Sequence, residues 1–123
     1  MKYHSEITEW GNDALALLEN PETLSIILFD EGVPPELAEI SVLHTKSTLF
    51  EEPSVGDVMI IADKVFTITA VGDKAKTSLR ELGHCTLTFR GAGEPERPGC
   101  IMLEGDECLL ADDIREGAVI ELH

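Results

Sequence analysis

Apolar and polar positions along this chain fall into short blocks, most of them too brief for an ordinary helix. Lys2 to Trp10 is predicted as a first strand, ending at Gly11. Asn12 is placed to cap a short helix through Leu15 and Leu18 that Pro21 stops. Thr23 to Phe29 is an apolar, Ile-containing run of strand length, bounded by Asp-Glu-Gly. Pro34 to Ala38 suggests one helical turn, since proline is tolerated at a helix start. Ile40 to Phe50 follows as a strand. Val58–Ala62 and Val65–Val71 are β-branched runs separated only by Asp63-Lys64, a hairpin signal without a turn glycine. Asp73 to Leu82 is the clearest helix: Ala75, Leu79 and Leu82 share a face, Asp73 can cap the start and Gly83 ends it. His84 to Arg90 alternates, with Cys85, Leu87 and Phe89 on one face and His84, Thr86, Thr88 and Arg90 on the other. Gly99–Leu103 and Ala118–Leu122 complete the set. About eight short strands with two or three short helices predict an all-β class, a small β-barrel-like fold or a sandwich.

Composition narrows the function classes. A chain of 123 residues is expected to form a single domain, 1–123, with a core large enough to dispense with disulfide or metal staples. Nine Lys and Arg against 24 Asp and Glu leave a net charge of −15. Phosphate backbones and anionic membrane surfaces repel such a chain, so neither nucleic acid nor a membrane is an expected partner. No apolar run reaches the ~20 residues that span a bilayer, and the N-terminus lacks a signal-like apolar stretch. Cys85, Cys100 and Cys108 form no CxxC pair. A reduced, cytoplasmic setting is therefore expected.

Candidate chemistry centres on four histidines, His4, His44, His84 and His123, because imidazole alone titrates near neutrality unaided. None falls in HxH, HxxxH or HExxH spacing, so no local zinc signature exists. His4 is expected at a surface or edge, and His123 as a free terminal side chain. His44 shares its strand face with Val42, Lys46 and Thr48. An imidazole beside a cation and a hydroxyl suits a phosphoryl acceptor, although a hydrogen-bonded strand histidine is the simpler account of the pattern. His84 shares a face with Thr86 and Thr88, and the spacing leaves open whether it meets His44. Cys85 is expected in the core. No P-loop, GxGxxG or GxSxG motif occurs, and Val71-Gly72-Asp73-Lys74 is a helix cap better than an anion cradle.

The run Ala70-Val71-Gly72, then Leu79-Arg80-Glu81-Leu82-Gly83-His84, then Thr86-Leu87-Thr88-Phe89, resembles the glucitol/sorbitol-specific IIA component of the phosphoenolpyruvate-dependent sugar phosphotransferase system. The resemblance extends over nearly the whole chain, through Ile7-Thr8, Gly11, Ile27 to Gly32, Leu43-His44, Pro98-Gly99, Asp112 to Ile114 and Gly117 to Ile120. It implies an all-β barrel-like domain and a phosphoryl relay. A small phosphocarrier protein donates to His44, and His44 passes the group to the IIB part of a membrane permease, where a cysteine is the expected acceptor. It implies an assisting role for His84 and no metal or organic cofactor. Some members carry a second histidine two positions after the nucleophile; here Lys46 stands there and can supply charge but not a proton shuttle. Transfer in both directions leads one to expect an exposed His44 with an apolar rim. The alternatives are a non-enzymatic β-barrel binding or regulatory module and a metal-dependent barrel using His44 and His84 as ligands.

Overall fold

The structure, a computed structural model, describes residues 1–123. Eight strands, β1 (Tyr3–Trp10), β2 (Ser25–Asp30), β3 (Val42–His44), β4 (Val58–Ile61), β5 (Lys64–Val71), β6 (Cys85–Thr88), β7 (Cys100–Glu104) and β8 (Val119–Leu122), close into a barrel. Around the barrel their order is β1-β3-β2-β6-β7-β5-β4-β8. Most neighbours are antiparallel, but β2–β3 and β6–β7 run parallel. Closure leaves no free sheet edge, which removes the commonest route to edge-to-edge aggregation. Three short helices complete the fold: α1 (Ala16–Glu19), α2 (Pro35–Ala38) and α3 (Asp73–Leu82).

Alternation along the strands fills the interior. Tyr3 and Ile7 of β1, Ile26 and Leu28 of β2, Val42 of β3 and Leu87 of β6 are buried in one core cluster. Cys85 lies there too, as expected. α3 connects β5 to β6 and packs on β6 and β7, with Ala75 and Leu79 turned into the core. It thus covers the mouth of the barrel where β2 and β3 end and β6 begins. Its bounds match the sequence expectation, and Gly83 ends it at φ +59°, the left-handed conformation that glycine adopts without steric cost. The cap at the other end differs: Gly72 is the N-cap, and Asp73 is the first helical residue.

Other elements are shorter than the pattern suggested. Residues 12–15 form turns, so Asn12 caps nothing and α1 starts at Ala16. The predicted Ile40–Phe50 strand contracts to Val42–His44; beyond it only isolated bonds, such as Thr45 N–H to the Glu6 carbonyl, tie the chain to β1. The β4–β5 hairpin turns at Ala62-Asp63, one position earlier than expected, with Ala62 itself at φ +56°. His123 is not free: its backbone pairs with Val58, and its Nε2 lies 3.1 Å from Glu121. His4 is surface-exposed, as expected, 2.8 Å from the other oxygen of Glu121. No helix is long and apolar enough to cross a membrane.

Candidate functional site

The parallel pairing of β2 with β3 sets Asp30 opposite His44 at the α3-covered mouth. Parity along each strand decides where their side chains point. Leu28 and Val42, two residues earlier, are core residues, so Asp30 and His44 also face inward. His44 is 0% exposed. The exposed acceptor expected from the relay is therefore not what the fold presents, because the turn that ends α3 at Gly83 lies against the ring.

Each ring nitrogen of His44 meets a backbone oxygen. Nε2 is 2.8 Å from the Gly83 carbonyl, and Nδ1 is 3.0 Å from the Thr45 carbonyl. A neutral imidazole has one N–H, so it can serve only one of them; the other nitrogen then turns its lone pair toward an oxygen. Asp30 Oδ1 lies 3.9 Å from Nδ1, and the Tyr3 ring meets the imidazole edge-on, with centroids 6.2 Å apart.

Gly83 closes this arrangement. A Cβ there would sit 2.0 Å from Asp30 Oδ1 and 2.8 Å from His44 Cε1. Helix termination and close packing over the site thus demand glycine at the same position. Asp30 Oδ1 is buried and has no hydrogen-bond partner. Burial raises its carboxyl above the usual value, and nearby positive charge, Lys46 among it, opposes that rise without cancelling it. The Tyr3 hydroxyl is also buried without a partner, and desolvation, reinforced by the Asp30 charge, pushes its phenol upward.

The remaining candidates sit around this pair. His84 lies on the outer face of the barrel wall, where it stacks on Phe29 with centroids 4.0 Å apart and donates from Nδ1 to the Leu28 carbonyl, 3.1 Å away. It does not hydrogen-bond to His44; the link between the two is the Gly83 carbonyl, one residue before His84. Lys46 is exposed and close enough to act on the Asp30 charge. No group of three or more His, Cys, Asp or Glu side chains is arranged to hold a metal ion. Asp30 was missed at the sequence level because it was read as the boundary of a strand. The available signal was parity: Ile26, Leu28 and Asp30 share the inward face.

Three comparisons bear on this geometry. The family model for the PTS system glucitol/sorbitol-specific IIA component matches residues 2–121. The glucitol/sorbitol-specific EIIA components of Escherichia coli (strain K12) and Shigella flexneri are each 34% identical over 98% of this chain and 94% of their own. A crystal structure of a PTS system IIA component from Enterococcus faecalis V583 superposes with a TM-score of 0.72 at 27% identity, covering 96% of this chain and 97% of that one. The match of sequence over nearly the full length, together with the shared barrel, means that this chain belongs to the glucitol/sorbitol-specific IIA component family of the phosphotransferase system.

Proposed function

We propose that this chain is a phosphoryl carrier that takes the group from a phosphocarrier protein onto His44 and passes it to the IIB part of a glucitol/sorbitol permease. The observation that carries the reading is the unequal hold on the two ring nitrogens. Nδ1 faces the Thr45 carbonyl, one residue past the end of β3, and the carboxylate of Asp30 on β2, whereas Nε2 faces one carbonyl at a helix end. When the Gly83 carbonyl swings aside, Nδ1 keeps the proton and Nε2 offers its lone pair. That lone pair forms the N–P bond as the bond from phosphorus to the donor atom breaks, its electron pair staying on the donor. Transfer onward to the IIB part repeats the displacement with His44 as the leaving group.

Phosphoryl transfer needs chiefly alignment and charge stabilisation, with little further chemistry from the protein. Lys46, exposed beside Asp30, supplies positive charge for the phosphoryl oxygens. His84 acts indirectly, since its stacking on Phe29 anchors the segment that carries the Gly83 carbonyl. Its role is to hold that turn rather than to touch the phosphoryl group. The reaction takes place in the cytoplasm in this reading and uses no metal.

The complete burial of His44 favours a second reading, a non-enzymatic binding or regulatory module in which the imidazole only ties β3 to the α3 terminus. Intact-protein mass after incubation with phosphoenolpyruvate and the general phosphotransferase proteins separates the two. The relay requires a gain of one acid-labile phosphoryl group that His44→Ala abolishes. No gain, with cognate partners shown active, leaves the binding module. A gain that survives His44→Ala and disappears in His84→Ala makes His84 the acceptor and overturns the assignment to His44.

A further inference from the structure

We infer that Asp30 is the positioning residue of the phosphoryl acceptor: its carboxylate keeps the imidazole proton on Nδ1 and balances the charge that the ring gains on phosphorylation. The inference rests on His44 being the acceptor and concerns a residue that family membership does not identify.

Three features converge on Asp30. Its Cα is the ladder partner of His44, so two rigid strands fix their separation. Its Oδ1 points at Nδ1 from 3.9 Å, beyond hydrogen-bond length but within ion-pair reach. That oxygen is buried with no donor, in a class of atoms that folded proteins almost always satisfy. Leaving such an oxygen unpaired costs stability, and nothing in the packing of β2 requires a carboxylate there. The groups facing it are the His44 imidazole, Lys46 beyond β3, the Tyr3 hydroxyl from β1, its chain neighbour Glu31 and the Gly83 backbone.

The chemistry explains the placement. As the Nε2 lone pair bonds to phosphorus, the proton stays on Nδ1 and the ring becomes cationic. The electron pair of the broken bond leaves with the donor. A carboxylate beside Nδ1 stabilises that cation and disfavours the tautomer whose proton blocks Nε2. Lys46 stands on the solvent side, free to face the phosphoryl oxygens. Unsatisfied buried polar atoms of this kind call for an explanation, and function supplies one here.

The test compares Asp30→Asn and Asp30→Ala with wild type, using the cognate phosphocarrier as donor. If charge is what matters, both variants lose at least tenfold in kcat while KM for the phosphocarrier stays within twofold. The melting temperature of Asp30→Asn should then equal or exceed that of wild type, because the charge on a carboxylate with one desolvated, donor-less oxygen has been removed. Activity and stability moving in opposite directions is an outcome that a merely structural residue does not produce. Wild-type kcat in Asp30→Asn overturns the inference, as does a loss of rate matched by a fall in melting temperature. A measurement on wild type alone covers the case of misfolded variants. In 15N- and 31P-NMR of the phosphorylated protein, phosphorus on Nε2 with a protonated Nδ1 supports the inference, and phosphorus on Nδ1 overturns it. Failure of the parent reading looks different: wild type gains no phosphoryl group, or His44→Ala gains one, and both proposals fall.

Discussion

Replacing Gly83 with alanine perturbs helix, site and fold through one methyl group. At φ +59° an L-residue pays about 1–2 kcal/mol for the left-handed backbone. The new Cβ would also lie 2.0 Å from Asp30 Oδ1, 2.6 Å from Asp30 Cγ and 2.8 Å from His44 Cε1. Relieving such overpacking costs typically about 1–3 kcal/mol, for a total of about 2–5 kcal/mol. With an unfolding entropy of about 2.1 cal/mol/K per residue, a 123-residue domain loses roughly 4 °C of Tm per kcal/mol. The expected fall is therefore about 8–20 °C. Gly117→Ala is the control, since Gly117 has φ +85° but nothing within 4 Å of its virtual Cβ. It should carry the backbone cost alone, a fall of about 4–8 °C. Thermal unfolding followed by circular dichroism in one buffer compares the two. If Gly83→Ala melts no lower than Gly117→Ala, the packing of Gly83 against Asp30 and His44 is not as described. The same variant should accept phosphoryl groups more slowly, because the displaced Asp30 and His44 side chains no longer hold their alignment.

Other outcomes follow from the charges. The Asp30 carboxyl titrates above its unfolded value, so between the two values the folded state binds more protons and stability falls as pH rises. The cost is fully present above the folded value, so any Tm advantage of Asp30→Asn at pH 7 should disappear below about pH 4; an advantage that grows on acidification contradicts the assignment. Hydrogen bonds from His123 and His4 hold Glu121 below its ordinary carboxylate range. Its contribution is therefore present above the unfolded value and lost as pH falls through the folded one. Glu121→Gln should lower Tm by a few degrees at most at pH 6, and by nothing under strong acid, since these are surface pairs. With a net charge of −15, phosphorylation by the phosphocarrier should slow as salt rises; stopped-flow rates independent of ionic strength would remove electrostatic steering and leave the relay untouched.

Much of the barrel was legible because local signals agreed. For α3, spacing of Ala75 and Leu79, a terminal glycine and a following alternating strand all marked the same boundaries. Where only one signal existed the boundaries slipped. The segment after His44 has strand composition, but a strand exists only where a partner completes the ladder, and on the N-terminal side of Ile7 β1 offers that segment only isolated bonds. The parallel pairs β2–β3 and β6–β7 left no trace in composition, because strand direction is set by how the intervening connection, α2 in one case and a loop in the other, carries the chain back across the barrel.

His44 and Lys46 stood out as residue types, and family resemblance marked His44 as the expected nucleophile. The sequence by itself determined the all-β class, the bounds of α3 and the acidic charge balance. Only the tertiary structure decided that His44 is enclosed, that Asp30 stands beside it and that His84 lies across the barrel wall. Those relations depend on strand register and parity across the β2–β3 and β2–β6 ladders. A shift of one residue would send every side chain to the opposite face, and local sequence cannot specify such a pairing between distant segments.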